Sequence, residues 1–506
     1  MINSLPAEAD MILESKGLFC HDLPTTPQPE MGKILVTGAT GYIGGRLVPE
    51  LLARGYQVRV MVRAASPEYE KRWPNAEIVV ADAMDVDGLR KALEGIHTAF
   101  YLIHSMLCGR EVFEAIDIQA AINFGKTARH KNVKRIIYLG GLGDIQTPLS
   151  PHLRSRIAVS EELRRAIAQT TVLRAAIIIG SGSASYELIK HLAKNFRILL
   201  IPYWAKTECQ PIGIRDVVKY LVGVLETPET AGKSFDIGGS DILTYEMMLR
   251  ILSDLLGKKN IFVPSPLSWI GPYAYLANLL TPVPGPIIWC LLESIKNKVV
   301  CQNTDIVRFM QFQPISFKEA VVRAMTRDEQ DNVHTRWSDA YPPAHYLAIK
   351  LHELKSPPRY ISSYSLLTEK RDHTLFRHIC RIGGKKGWFH NNWMWRLRGT
   401  VDRILMGVGT LRGRRSYADL RINDVIDFWR VEDLKQDERL LLRAEMKLPG
   451  KAWLEFLINR EEGKNRLFVK AYYQPKGLFG IIYWYMFLPF HHIIFNNLIK
   501  QIEKSA

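Results

Sequence analysis

Three glycines, Gly38, Gly41 and Gly44, follow an apolar run (Ile34, Leu35, Val36) and lead into a helical stretch from Arg46 to Arg54. Glycine at such a turn lets the backbone pass close to a pyrophosphate, and the free amides at the helix start hold that anion against the positive end of the helix dipole. The strand–turn–helix context makes this spacing a dinucleotide-binding signature. In such folds the end of the second strand, about twenty residues on, carries an acid that binds the ribose hydroxyls of NAD. Here that position holds Arg63, with no Asp or Glu beside it. A guanidinium makes paired, charge-assisted bonds to phosphate, so Arg63 points to the 2′-phosphate of NADP and to NADPH over NADH. Asp82 closes the third apolar run, next to Ala83, and is placed to accept a bond from the adenine amine. Ile103, His104 and Ser105 follow the fourth run, where the nicotinamide ribose would pass.

These residues need a scaffold, and the sequence spells one out. Apolar runs at 34–37, 56–63, 78–81, 98–103, 135–139 and 171–179 alternate with helical segments, among them 86–94, 111–130 and 153–168. That alternation predicts an α/β fold, a doubly wound parallel sheet. Residues 181–330 are expected to complete the domain as a smaller, mixed lobe. The apolar stretch 261–292 is broken by six prolines, at 264, 266, 272, 282, 284 and 286. A spanning helix needs about 20 uninterrupted apolar residues, so this is not a transmembrane segment.

Residues 1–30, acidic and then proline-bearing, are expected to be a disordered extension, with Met31 as a candidate natural start, and 326–360 a polar linker. Beyond it, Leu440, Leu442, Ala444 and Met446 share one strand face, and Ala452, Leu454, Phe456 and Ile458 share another. Leu467, Val469, Ala471 and Tyr473 do the same, predicting an antiparallel meander before a long apolar helix over 477–503.

The chain has 506 residues and a net charge of +16, too long for one ordinary core. Residues 350–506 hold 29 Lys and Arg against 16 Asp and Glu, a net of +13. Such a basic part suits a solvated surface, nucleic acid or an anionic membrane, and no nucleic-acid reader motif accompanies it. Six cysteines without paired spacing suit a reducing, cytoplasmic setting and argue against a disulfide framework or a metal site.

Residues 33–325 resemble the atypical and extended short-chain dehydrogenase/reductases, near their NmrA-like and complex I accessory-subunit branches. The resemblance rests on Thr37-Gly-Ala-Thr-Gly-Tyr-Ile-Gly44, Val62-Arg63, Ala81-Asp82, Ile137-Tyr-Leu-Gly-Gly141, Val172-Leu-Arg174 and Pro211-Ile-Gly-Ile-Arg-Asp216. It implies that the turn residues Thr40, Tyr42 and Ile43 bind the nucleotide along with the glycines. It also implies a catalytic serine after the fifth strand and a Tyr-x-x-x-Lys pair on the next helix. This chain departs at all three places: Gly140-Gly141 replace the serine, and His152-Leu-Arg-Ser-Arg156 replaces the pair. His152 then stands as the candidate for proton transfer, opposed by Arg156, which disfavours an imidazolium nearby. Arg156 stands as the candidate for the lysine's hold on the nicotinamide ribose. Asp144, Ser150 and Ser155 are lesser candidates.

Residues 361–506 resemble a helix-grip-like module, similar in outline to lipid-transfer and polyketide-cyclase domains. This rests on Trp395-Arg-Leu-Arg-Gly399, Gly407-Val-Gly409, Gly413-Arg-Arg415, Asp427-Phe-Trp-Arg-Val431, Glu445-Met-Lys447, Gly477-Leu-Phe-Gly480 and Tyr483-Trp484. It implies a curved sheet wrapped on the long helix. The other reading of that helix is interfacial docking on a membrane, helped by Arg412, Arg414 and Arg415. His491 and His492 are adjacent, point to different faces, and are not read as metal ligands.

The reading adopted is an NADPH-dependent oxidoreductase of a hydrophobic carbonyl, lipid or quinone-like substrate, in the cytoplasm or at the inner membrane face. The alternative is a non-catalytic NADP sensor, assembly factor or membrane-associated lipid-handling protein.

Overall fold

The computed structural model describes residues 18–104, 113–143, 148–329, 335–340, 350–354, 356–384, 387–388, 392–416 and 420–506. It divides into two units, one within residues 1–277 and 286–345, the other within 278–285 and 346–506.

The first unit is built on seven short strands. These are β1 (Lys33–Val36), β2 (Val58–Val62), β3 (Glu77–Val80), β4 (Ile96–Tyr101), β5 (Arg135–Gly141), β6 (Thr170–Ala175) and β7 (Ser234–Ile237). They pair in parallel, in the order β7-β6-β5-β4-β1-β2-β3. Both faces of the sheet are covered, which is why β2 and β5 read as nearly unbroken apolar runs. The order reverses direction between β1 and β4, and in open parallel sheets the ligand crevice lies at the carboxyl ends of the strands at such a point. The helices that frame this crevice are α1 (Gly44–Ala53), α2 (Phe113–His130) and α3 (Pro151–Ala166). Helix α4 (Ile214–Glu226) packs against α1 through an almost wholly buried surface.

Two expectations about the ends of this unit are corrected. Residues 18–30 are not a disordered extension: Phe19, Cys20 and Leu23 are buried in the core beneath α1. The amides of Phe19 and Cys20 donate to the buried Glu50 carboxyl on α1. Asp22 pairs with Arg215 and Lys219 on α4, at 2.9 and 2.5 Å. Three buried side chains and one paired acid help tie the segment down. Nor does the polar stretch begin as a linker at 326. Helix α5 (Phe317–Glu329) runs past it, and Thr335 and Ser338 are buried.

The second unit carries a six-stranded antiparallel sheet. Its strands are β8 (Tyr360–Thr368), β9 (Val425–Ile426), β10 (Trp429–Lys435), β11 (Arg439–Ala444), β12 (Gly450–Glu461) and β13 (Lys464–Pro475), in the order β8-β13-β12-β11-β10-β9. Two helices matter below, α6 (Asn392–Ile404) and the 29-residue α7 (Gly477–Ser505). The alternating side chains Leu440, Leu442, Leu454, Phe456, Leu467 and Val469 form one core with Phe495, Leu498, Ile499 and Ile502 of α7. The period-2 face of the sheet thus meets the period-3.6 face of the helix.

The arginines expected to face a membrane do the opposite. Arg412, Arg414 and Arg415 are buried: Arg412 pairs with Glu445 at 2.8 Å, Arg415 with Asp424 at 2.8 Å, and Arg414 donates to Ile382 O at 2.8 Å. His491 and His492 do diverge. His491 packs on Trp484 and Phe495, whereas His492 is exposed beside Tyr364 and Asn496. Among the described residues no group of three or more His, Cys, Asp or Glu is placed to hold a metal.

Candidate functional site

The glycine turn closes tightly onto the end of β4. Thr37, fully buried, donates from both its amide and its hydroxyl to Phe100 O at 3.0 Å, and its hydroxyl accepts from Leu102 N. Gly38 then takes a φ of +61°, and a β-carbon there would lie 2.5 Å from Leu102 O. At Gly44 a β-carbon would lie 2.5 Å from Gly38 O, so the first turn of α1 can approach the strand end only without a side chain. The turn is closed by Gly41 N donating to Gly38 O and Gly45 N to Gly41 O, both at 3.0 Å.

Helix α1 begins at Ile43, whose side chain cannot cap it, and its first turn holds no acid. With neither a capping side chain nor an acid there, the positive end of its dipole is left for an anion, as a pyrophosphate site requires. Arg46 braces this start. Its buried guanidinium donates to Tyr42 O at 3.0 Å and Ser181 O at 2.9 Å, reaches Thr335, and lies 4.3 Å from the centre of the Tyr42 ring. Burial pushes its pKa down. Arg46 was missed in the sequence because it looks like a solvated helix residue.

Arg63 directly follows β2, the neighbour of β1, and is half-buried beside the turn. Asp82 and Ala83 follow β3 one strand further out. Asp82 accepts from Met84 N at 2.8 Å, and Ala83 O accepts from Asn123. Ile103 and His104 leave the end of β4 on the crevice's other lip. Ser105 and Asp144 fall outside the described residues.

The second half of the site is a cluster the sequence reading assembled only in part. His104 Nδ1 lies 2.7 Å from Asp117 Oδ2 on α2, and the His104 and His152 rings are 5.0 Å apart. Asp117 is buried, and Ser155 on α3 also donates to it, at 3.5 Å. With the acid ionised, Nδ1 of His104 carries the proton and Nε2 keeps its lone pair. That Nε2 is buried without a hydrogen-bond partner, as is His152 Nδ1. Burial and the Arg156 charge lower the pKa of His104, with Asp117 opposing them. Burial, His104 and Arg156 push His152 well below its ordinary value. Both rings are neutral near pH 7.

His152 is the second residue of α3, whose cap is Ser150 accepting from Leu153 N at 3.3 Å. Ser150 thus has a structural task, and it also meets Ser294 at 3.1 Å. Arg156 shares the His152 face of α3. Its guanidinium donates to Leu139 O and stacks 4.9 Å from the Tyr138 ring centre. Gly141 lies against Leu153 and Arg156, in the space that a serine side chain would occupy. Asp117, like Arg46, is a residue that the sequence did not single out. Its signal was an acid on the buried face of α2, which also carries Phe113, Ala120, Ala121 and Phe124.

Known families match the two parts of the chain separately. Residues 30–270 match the NmrA-like family, and residues 356–498 match a family described as protein of unknown function (DUF2867). The chain is 27% identical over 274 residues to NADH dehydrogenase (ubiquinone) 1 alpha subcomplex subunit 9, mitochondrial, of Arabidopsis thaliana, covering 51% of this chain and 67% of that protein. It is 26% identical over 251 residues to divinyl chlorophyllide a 8-vinyl-reductase, chloroplastic, of Zea mays, covering 46% of this chain and 62% of the relative. The match therefore spans only about two thirds of each relative's length. Among solved structures, the Citrobacter sp. triphenylmethane reductase complexed with NADP(H) aligns at 21% identity and a TM-score of 0.47, over 58% of this chain and 99% of that one. The family match and the curated relatives support an NAD(P)-binding, oxidoreductase-type Rossmann domain in the first part of the chain. The C-terminal match carries no functional description.

Proposed function

We propose that this protein is an NADPH-dependent oxidoreductase acting on a hydrophobic carbonyl or conjugated alkene. The observation that carries this reading is the Asp117–His104 pair facing His152 at the end of β4, in a sheet whose glycine turn leads into a helix start with neither a side-chain cap nor an acid. When bound, the nicotinamide supplies or accepts a hydride at carbon. The chain's own part is to hold the dinucleotide and move the matching proton. Asp117 orients His104 and keeps Nδ1 protonated, so His104 Nε2 takes a proton in the oxidising direction and, once protonated, returns it in the reducing one. His152 borders the same space as a neutral ring. Burial, with the Arg156 charge adding to it, disfavours the charged form of both imidazoles.

Arg63, directly after β2, is read as the partner of a 2′-phosphate, and its position in the sequence supports NADPH over NADH. Replacing it should separate the two cofactors: Arg63→Ala is expected to weaken NADPH by about tenfold or more and leave NADH nearly unchanged. Titration of nicotinamide fluorescence reads both. An equal loss for the two nucleotides would remove the cofactor assignment.

The C-terminal unit is read as helix-grip-like, because a long helix lies across one face of its antiparallel sheet. Its place in the reaction would be to shelter an apolar substrate. A second reading, a nucleotide sensor without turnover, draws on the Gly140-Gly141 pair and on the engagement of Arg156 with Leu139 and Tyr138. Purified protein with NADPH, screened against lipophilic carbonyls and quinones, decides between them. Consumption of NADPH that disappears in His104→Ala supports the enzyme. Tight NADPH binding with no turnover above that variant supports the sensor.

A further inference from the structure

We propose that the second unit docks on an anionic lipid surface through the start of α7 and the outer face of α6. The residues that would do this are apolar and left in water. On α7, Leu478 and Phe479 are 70% and 82% exposed, and Ile482, Tyr485 and Met486 are exposed with them. On α6, Trp393 (62% exposed), Leu397, Val401 and Ile404 recur every three or four residues along one face, while Trp395, Gly399 and Asp402 of the same helix are buried. An exposed apolar face of this extent is a contact surface.

The two faces adjoin one basic turn. Lys476 N, at the entry to α7, donates to Pro449 O at 2.9 Å, and Gly480 packs on the same carbonyl. From α6, Arg398 donates to Lys447 O at 2.7 Å. Lys447 and Lys476 are exposed there. No acid occurs in the sequence between Glu462 and Glu503, and the single acid of α6, Asp402, is buried. An apolar surface edged by the exposed cations Lys447 and Lys476 complements an anionic bilayer. It disfavours a second copy of the chain, because a two-fold contact would bury the same patch from both subunits and crowd the exposed Lys447 and Lys476 of the two together.

Helix α7 is long and apolar enough to cross a membrane, yet it is held to its sheet. Trp484 stacks with Tyr360 and Tyr473 at 5.2 and 5.6 Å, and Phe495, Leu498, Ile499 and Ile502 fill the core. The helix therefore lies on the interface with its first turns inserted and does not span.

Vesicle sedimentation of the full chain tests this. Phosphatidylcholine vesicles with about a quarter phosphatidylserine should bind the protein, and phosphatidylcholine alone should bind it far less, with the difference shrinking in high salt. The double change Leu478→Ser and Phe479→Ser should weaken binding by about tenfold or more, since each side chain loses its transfer into the bilayer. Both positions are exposed, so the melting temperature and NADPH affinity should stay as in the parent. Equal binding to both vesicle types, unchanged binding of the variant, or no binding by the parent overturns the proposal. A dimer at micromolar concentration that the double change abolishes would assign the surface to a second copy and overturn it too.

Discussion

Asp117→Asn should lower NADPH-dependent turnover by about a hundredfold while leaving NADPH affinity intact, because Asp117 acts on the proton and not on the nucleotide. The amide keeps the shape of the acid but can present an N–H to His104 Nδ1. The imidazole then carries its proton on Nε2 and loses the lone pair that faces the crevice. His104→Ala should be at least as severe. The pH profile separates this role from simple packing. His104 is held below its ordinary pKa by burial and by Arg156, so it is mostly neutral at pH 7. Reduction needs the protonated ring, so kcat/KM for reduction should rise as pH falls from about 8 toward 6, and the oxidising direction should show the opposite trend. In Asp117→Asn the reductive rise should move to lower pH, because the opposing negative charge has gone. A hundredfold loss with an unshifted profile would make Asp117 a packing residue.

Glu445→Ala should be among the most destabilising single changes in the second unit, by about 3–5 kcal/mol. Glu445 lies just past β11 and is buried against three guanidiniums: Arg430 at 2.5 Å, Arg412 at 2.8 Å and Arg443 at 3.5 Å. Deleting the carboxylate leaves those arginines in the interior without their shared anion, and a domain's whole stability is only about 5–15 kcal/mol. Burial alone would raise the Glu445 pKa, but Arg430 and Arg412 hold it down to about 2 against an ordinary 4.5. Its folded pKa is thus depressed, so its contribution is complete above pH 4.5 and is lost as pH falls from there through 2. Urea unfolding, followed by tryptophan fluorescence, should show the parent losing stability across that interval and the variant losing much less. A midpoint within error of the parent at neutral pH would count against the cluster.

What the sequence made legible here is what a backbone requires locally. The glycine turn, the arginine after β2 and the alternation of strands and helices each leave a mark within a few dozen residues. Partnerships between distant elements leave none. Arg412, Arg414 and Arg415 read as a surface patch because Glu445, Asp424 and the Ile382 carbonyl lie elsewhere in the chain. Strand β10 escaped notice because its register shifts between Val431 and Asp433, which breaks the alternation, and its neighbour β9 has only two residues. The His104–Asp117 pair needed the end of β4 and the first turns of α2 to be brought together. The family resemblance directed attention to His152 on α3, and the acid that organises the cluster lies on a different helix.

The docking of Phe19 and Cys20 onto Glu50 gives the segment ahead of β1 a say in nucleotide affinity. Helix α1 is engaged at both ends: its uncapped start follows the glycine turn, and its second turn carries the Glu50 carboxyl, which accepts from the Phe19 and Cys20 amides. Binding at one end and docking at the other stabilise the same helix, so they are thermodynamically coupled. A tag, a protease or a start at Met31 that removes residues 18–30 would therefore be felt as weaker nucleotide binding, at a site none of those residues touches.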